Sequence, residues 1–125
     1  MLFRSFFDAK GRITAKEYLR LFRTLYVSNY LEQGDSEYLL DLLNRSDFDL
    51  FLRASIPQYV AFPHKWGAFP LDHTYGDAGI VYVDNRPYMI GVLVQGRGAL
   101  DETRQVEALM QSVSSLAYAY FEHAW

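Results

Sequence analysis

The sequence predicts an α+β fold in which helices come first, a three-stranded antiparallel sheet follows, and a C-terminal helix packs on the sheet. Two observations carry this prediction. Residues 14–52 and 101–121 repeat apolar side chains at helical spacing, whereas residues 60–95 contain three short β-prone runs separated by turn residues. Because 50% of the 125 residues are apolar and 17% are aromatic, we expect one domain, residues 1–125, with a sizeable core.

The first helix has a clear start. Thr14 and Glu17 have the T-x-x-E spacing of a capping box, and Ile13 and Tyr18 occupy the flanking positions of a hydrophobic staple. The helix should end near Val27. The apolar stripe that faces the core would then consist of Tyr18, Leu21, Phe22, Leu25 and Tyr26.

A second helix is predicted to end near Asn44. Its inner face would consist of Tyr38, Leu39, Leu42 and Leu43. Ser46 and Asp49 resemble another capping pair, which indicates a short helical turn before Ile56, and Pro57 should end that turn.

The run Val60–Ala68, which we call the lip strand, is the most informative part of the sequence. Its first residues are β-prone, but Pro63 donates no backbone hydrogen bond, so the strand belongs at the edge of the sheet. An exposed edge that carries Lys65 and then Gly67 could bind an anion or an extended peptide. The alternative is an ordinary surface lysine followed by a turn glycine, since such short motifs often match by chance.

The remaining elements complete the sheet and cover it. We expect a loop over Phe69–Gly76, a strand over Gly79–Val83 and a last strand over Tyr88–Gln95. The last strand is apolar on both faces, so it should lie inside the sheet. Asp101 is a candidate N-cap for the closing helix. Its apolar positions are Val106, Leu109, Met110, Val113, Leu116, Ala117, Tyr120 and Phe121.

Composition and charge exclude several classes of function. The net charge is -3 with both signs interspersed, so no basic stripe is present to follow a phosphate backbone, and we expect no nucleic-acid partner. The sequence has no cysteine, which excludes disulfides, thiolate zinc sites and cysteine nucleophiles.

Met1–Asp8 is too short for the apolar region of a signal peptide, and no window has the length of a membrane span. We therefore expect no export signal or membrane anchor in this sequence.

Metal and cofactor sites are also disfavoured. His64, His73 and Asp77 could be drawn as a metal site, but their spacing is irregular, and surface or hydrogen-bonded histidines are the favoured interpretation. The glycines at 96 and 98 lack the pattern of a dinucleotide or phosphate loop. We expect no metal and no cofactor.

Many short runs, in a consistent order, resemble the C-terminal part of the class A β-lactamase-related serine hydrolases, the penicillin-recognising enzymes. The matching runs are Ile13–Leu19, Leu25–Tyr26, Tyr30–Leu31, Ser36–Leu40, Ser46–Phe48, Ile56–Pro57, His64–Gly67 and Asp77–Tyr82. The resemblance covers nearly the whole chain. It implies a β-lactamase- or transpeptidase-like fold and a periplasmic, envelope or secreted location.

The resemblance also implies roles for individual residues. In that family the lip strand carries a lysine, a hydroxyl residue and a glycine, and flanks the active site. Lys65 and Gly67 match this pattern, but Trp66 does not. The backbone N–H of Ala68 would form half of the oxyanion hole, and Lys65, Trp66 and Gly67 would contact substrate. The arginine that often starts the family's next strand is replaced here by Gly76–Gly79, which weakens the expectation of a carboxylate-bearing substrate.

The nucleophile of that family is absent from these residues. No serine is followed three residues later by lysine, and the S-x-N motif does not occur. Two hypotheses remain. The chain is either the C-terminal segment of a serine hydrolase, not catalytic alone, or a non-catalytic interaction module that binds a partner by strand addition. Expected partners are a complementing N-terminal segment or a second copy, and a possible ligand is a β-lactam or a peptide.

Overall fold

The computed structural model describes residues 14–28, 31–84 and 86–123. Its helices are α1 (Ala15–Tyr26), α2 (Gln33–Asn44) and α3 (Glu102–His123), and its strands are β1 (His64–Phe69), β2 (Thr74–Val81) and β3 (Tyr88–Gln95). Among the described residues, short 3-10 turns occupy Leu52–Ser55 and Pro70–Asp72. The predicted α+β class is therefore confirmed. None of the described helices is long and apolar enough to cross a membrane.

The three strands form one antiparallel sheet with the order β1-β2-β3. Lys65 lies opposite Ala78, and Ala78 lies opposite Gly91 on the other side. The lip strand is thus at an edge of the sheet, as Pro63 predicts. The side chains of a strand alternate between the two faces of the sheet, and helices cover both of these faces.

One face packs against α3 and the Leu52–Ser55 turn. Its core includes Leu52, Phe62, Tyr75, Val81 and Met110, all at most 2% exposed. The opposite face packs against α1 and α2, where Phe22, Ala78 and Ile80 are buried. The chain therefore has two apolar layers with the sheet between them.

The start of α1 is the one predicted. The backbone N–H of Glu17 donates to the hydroxyl of Thr14 at 3.1 Å, and that hydroxyl donates to the carboxylate of Glu17 at 3.0 Å. The first bond is the N-cap half of a capping box, whereas the Glu17 carboxylate bonds to the Thr14 hydroxyl and not to its backbone N–H. Ile13, the predicted staple residue, lies outside the described residues.

The strand boundaries differ from the prediction. Only residues from His64 onward form β1, and β2 begins at Thr74 rather than at Gly79. The predicted loop over Phe69–Gly76 is a tight connection, because the Pro70–Asp72 turn ends at His73 in the left-handed conformation (φ 53°). A single such residue lets the chain reverse within a few positions.

The strand inside the sheet is β2, not the predicted Tyr88–Gln95. Every residue of β2 after Thr74 is buried, although the strand contains Gly76, Ala78 and Gly79. A Cβ at Gly79 would collide with the backbone oxygen of Pro63, so small residues permit the close packing there. The apolar run of β3 reflects the helices on both of its faces, since burial by helices also produces an unbroken apolar pattern.

The helical predictions need two further corrections. Tyr38, Leu39 and Leu42 on α2 are 63%, 37% and 42% exposed, and the residues that pack inward are Ser36, Leu40 and Leu43. The apolar periodicity of α2 does not show which side of the helix packs against the rest of the described residues. The Ser46 hydroxyl accepts from the N–H of Phe48 but starts no helix, and the 3-10 turn lies later, at Leu52–Ser55.

The closing helix crosses the sheet as predicted. Val106, Met110, Val113, Ala117 and Phe121 contribute to the core. Leu109, Leu116 and Tyr120 are instead 47%, 73% and 67% exposed. Asp101 directly precedes α3, and its carboxylate accepts from the side-chain amide of Gln105 at 3.0 Å.

Truncation of Met110 should destabilise the chain far more than truncation of Leu116 on the same helix. Met110 is 0% exposed, so Met110→Ala should lower the free energy of unfolding by about 2–5 kcal/mol. Leu116→Ala should change it by less than about 0.5 kcal/mol in the isolated chain. Urea unfolding of both variants measures the difference, and similar losses would contradict this packing.

Candidate functional site

The outer edge of β1 presents backbone groups that the sheet does not use. The N–H of Ile80 donates to the backbone oxygen of Pro63 at 3.1 Å, and the N–H of Tyr82 donates to that of Ala61 at 3.0 Å. In an antiparallel pair, alternate residues point their N–H and C=O toward the partner strand. With this register, Lys65 and Gly67 point toward β2, whereas the N–H groups of Trp66 and Ala68 point away from it. The N–H of Ala68 is therefore not used by the ladder between β1 and β2.

Lys65 is exposed, and its ammonium lies at this same edge. Its Nζ donates to the backbone oxygen of Trp66 at 3.0 Å and lies 5.7 Å from the centre of the Trp66 ring. The hydroxyl of Tyr18 donates to the backbone oxygen of Lys65 at 2.7 Å, which ties helix α1 to the strand. Burial, with a further contribution from the charge of Asp77, raises the pKa of Tyr18 to about 12, so the hydroxyl remains a donor.

Packing inside the chain does not require the glycine at position 67. A Cβ built there would meet only the ring of Phe69, at 3.6 Å, which is ordinary van der Waals contact. This differs from Gly79, whose environment leaves no room for a side chain. A small residue at the exposed edge instead leaves space for a ligand or another backbone.

Trp66 is held in an aromatic cluster. Its ring stacks on Phe48 with a centroid distance of 3.8 Å and an interplanar angle of 10°, and Phe51 meets it edge-on at 6.4 Å. Such contacts add to the free energy of burial and fix the orientation of the ring. The Trp66 ring is therefore held rigidly beside the outer edge of β1.

A buried pair of polar residues lies beneath β1, and sequence analysis missed it. His64 Nδ1 lies 2.8 Å from one carboxylate oxygen of Asp77, whose other oxygen accepts from the N–H of Leu52 at 3.2 Å. Asp77 is 0% exposed and His64 is 2% exposed. Asp77 thus connects β2 to β1 and to the Leu52–Ser55 turn. The signal was present, since both residues had been considered as metal ligands.

A second polar cluster joins the β1–β2 connection to the start of α3. Glu102 accepts hydrogen bonds from the N–H of Gly98, the hydroxyl of Tyr75 and Nδ1 of His73, each at 2.8 Å. These donors, Gly98 first, lower the pKa of Glu102 to about 2. Sequence analysis did not find Glu102, because two of its donors, His73 and Tyr75, lie far from it in the sequence.

His73 therefore lies apart from the pair formed by His64 and Asp77. Within the described ranges, no group of three or more histidine, aspartate or glutamate side chains is arranged to hold a metal ion. An open cavity of about 420 Å³ lies beside the Glu102 cluster. Its lining includes His73, Tyr75, Leu100, Glu102 and Arg104. Lys65 and Ala68 are not part of that lining.

Comparison with known proteins decides the family. A family model described as the β-lactamase enzyme family matches residues 4–121. The chain belongs to the β-lactamase enzyme family. No curated protein matches the chain.

Solved structures agree with this family at the level of the fold. PBP-A has a TM-score of 0.75 and is 24% identical, and a β-lactamase from Burkholderia vietnamiensis has a TM-score of 0.75 and is 20% identical. A β-lactamase from Sphaerobacter thermophilus has a TM-score of 0.75 at 14% identity.

The match covers most of this chain but less than half of each neighbour. The alignment with PBP-A covers 92% of this chain and 43% of PBP-A. For the Burkholderia enzyme the two shares are 90% and 42%, and for the Sphaerobacter enzyme they are 87% and 40%. A mutant of PBP-A has also been solved as an acyl-enzyme complex with penicillin G. The β-lactamase-like chain described here therefore corresponds to part of a larger fold.

The stability of this β-lactamase-like chain should depend on Glu102 in acid. Its pKa of about 2 lies below the ordinary value of 4.5, so its stabilising contribution is complete above pH 4.5 and is lost as pH falls toward 2. Glu102→Gln should be less stable at neutral pH and should lose less stability on acidification. Urea unfolding across this pH range provides the test. Glu107→Gln, further along α3, is the matched control, and a slope that Glu102→Gln leaves unchanged would contradict the assignment.

Proposed function

We propose that this chain is the C-terminal segment of a β-lactamase-like or penicillin-binding-like serine hydrolase. It would supply the K-x-G edge strand and one oxyanion-hole amide to a nucleophile carried by a segment outside these 125 residues. The observation that supports this most directly is the outward direction of the Ala68 N–H, on the same exposed edge as the Lys65 ammonium.

The chemistry follows from that orientation. When a serine attacks an acyl carbonyl, negative charge develops on the carbonyl oxygen, and fixed N–H donors stabilise it. The N–H of Ala68 is fixed because its neighbours on either side along the strand, Gly67 and Phe69, pair with Gly76 and Thr74 of β2. The nearby ammonium of Lys65 would add a positive charge, which favours the same anionic transition state.

This chain would not be catalytic by itself. A serine hydrolase needs an activated hydroxyl, and in this family the activating lysine follows the serine by one helical turn. No serine here has that neighbour. An oxyanion donor without a nucleophile offers no covalent route, so both parts of the active site must meet.

The surface of the chain supports a complementing segment as the partner. Tyr38, Leu39 and Leu42 on α2 and Leu109, Leu116 and Tyr120 on α3 are exposed apolar side chains on two separate helices. Exposed apolar area of this kind marks a surface that another protein segment covers. The solved neighbours are more than twice as long as the part that this chain matches, so a complementing N-terminal segment is the occupant we propose. The ligand of the assembled site would be an acyl compound such as a β-lactam or a peptide.

The outer edge of β3 supports a second candidate function, that of a non-catalytic interaction module. The N–H of Gly96 donates to the backbone oxygen of His73 at 2.7 Å, so the even-numbered residues of β3 point toward β2. Met89, Gly91 and Leu93 then point their backbone groups outward, where an added strand could pair. The partner in this case would be another chain or a second copy, bound without any chemistry.

Complementation tests the proposed function. The chain alone should neither hydrolyse a chromogenic cephalosporin nor be labelled by a fluorescent penicillin. Together with an adjacently encoded segment that carries S-x-x-K and S-x-N, it should form a complex in which that serine becomes labelled. Labelling of a serine in this chain, or the absence of any such segment, would contradict the proposal; the second result would favour the interaction module.

A backbone variant makes this test specific to Ala68. Ala68→Pro removes an N–H that the β1–β2 ladder does not use, and it should lower kcat of the assembled enzyme about 10²–10³-fold. Ala68→Gly keeps the N–H and is the matched control. Thermal unfolding of both assembled variants shows whether the fold is retained, and equal activity of the two would contradict a role for this amide.

A further inference from the structure

The outer edge of β1 is open over only a short stretch. The pairing pattern also points the N–H of Phe62 outward, but this group donates to the side-chain oxygen of Asn44 at 2.7 Å. Within β1, the outward residues that remain are His64, Trp66 and Ala68. An added strand would have to pair with these three positions, and Trp66 is the middle one.

The side chain of Lys65 caps the outward carbonyl of this middle residue. It begins on the face of the sheet opposite to the Trp66 side chain, since side chains alternate along a strand. Its ammonium nevertheless donates to the backbone oxygen of Trp66 at 3.0 Å, so the side chain turns around the outer edge. The backbone from which it starts is fixed, because the hydroxyl of Tyr18 donates to the oxygen of Lys65 at 2.7 Å.

The ring of Trp66 helps to hold the ammonium in this position. The Lys65 nitrogen lies 5.7 Å from the ring centre, and a cation within about 6 Å of the centre is attracted to the face of an aromatic ring. The ring cannot turn aside, because Phe48 stacks on it at 3.8 Å. The ammonium therefore has a preferred place at the edge of β1.

This cap changes the order of hydrogen-bonding groups along the edge. An uncapped edge presents N–H, C=O and N–H in turn, and an added strand answers with C=O, N–H and C=O. Here the N–H of Trp66, the ammonium of Lys65 and the N–H of Ala68 follow one another. Three donors thus lie within about 7 Å, the spacing of alternate residues in a strand. The N–H of an added strand would face the ammonium and would lack an acceptor.

We infer that this edge binds an acyl ligand whose carbonyl and carboxylate oxygens supply successive acceptors, and that Lys65 keeps added strands away from it. The carbonyl accepts from Ala68, and the carboxylate accepts from Trp66 and the Lys65 ammonium, a charge-assisted contact of the stronger kind. An internal peptide segment alternates acceptors and donors and does not match. The inference rests on the proposed function, since it names the ligand class of the same edge, and Lys65 is its specificity-determining residue.

Binding to the full chain, followed by NMR at the backbone amide signals of Trp66 and Ala68, tests this without any partner. The two probes are N-phenylacetylglycine and its methylamide, which has a carbonyl and an N–H in place of the carboxylate, as a continuing peptide would. The acid is ionised at neutral pH. It should shift both signals saturably and bind about fivefold more tightly than the methylamide, the size expected from one exposed ion pair.

Two lysine variants separate the cap from the general charge of the chain. Lys65→Met removes the ammonium and uncovers the Trp66 carbonyl, so the acid should then bind no more tightly than the methylamide. Lys16→Met changes another exposed lysine, on α1, and should leave the preference unchanged. The amide spectrum of each variant shows whether the fold is retained.

Four results would overturn the inference: equal affinities in the parent, a preference for the methylamide, a preference for the acid that survives Lys65→Met, or no saturable shift with either probe. The outcome is independent of the complementation experiment. If no nucleophile-bearing segment restores activity but the acid is still preferred, the ligand preference stands and the split-enzyme proposal fails. If complementation succeeds and the methylamide binds as well as the acid, the split-enzyme proposal stands and this inference fails.

Discussion

The antiparallel ladder between β1 and β2 is the constraint on which the rest of the structure depends. Its register decides which amides of β1 are used inside the sheet and which face outward, and a slip of one residue would exchange the two sets. Asp77 helps to hold this register, because its carboxylate contacts His64 on β1 and the N–H of Leu52 while its own backbone belongs to β2. Removing this buried carboxylate would cost stability, since its buried hydrogen-bond donors would be left without an acceptor.

The same ladder explains why the sheet formed by the described residues has two open edges. With the order β1-β2-β3, the central strand satisfies its backbone on both sides, and each outer strand satisfies half of its own. The two edges have different surroundings. The edge of β1 carries Lys65, a charged residue of the kind that discourages strand addition, whereas the edge of β3 carries the partly exposed Leu93. We therefore propose a ligand site at the edge of β1 and a protein partner at the edge of β3.

Sequence patterns predicted the parts of this fold that depend on local chemistry. Three features follow from short-range rules: the N-cap of α1 at Thr14, the edge position implied by Pro63 and the closing helix. The central strand was misplaced because its burial depends on Gly76, Ala78 and Gly79, which carry no hydrophobic signal. The exposed residues of α2 were predicted to be buried because an apolar stripe does not reveal whether the surface that covers it is in the same chain. Glu102 could not be predicted, since its donors meet only after the sheet and α3 have packed.

Hydrogen exchange of individual backbone amides, followed by NMR on the dilute monomeric chain, tests the orientation of the edge amides most directly. Exchange should be slow at Lys65 and Gly67, which bond to β2, and fast at Trp66 and Ala68, which point away from it. In β3 it should be slow at Ile90 and Val92 and fast at Gly91 and Leu93. If Ala68 were as strongly protected as Gly67, the edge would be covered or the register shifted, and the amide could not serve as an oxyanion donor.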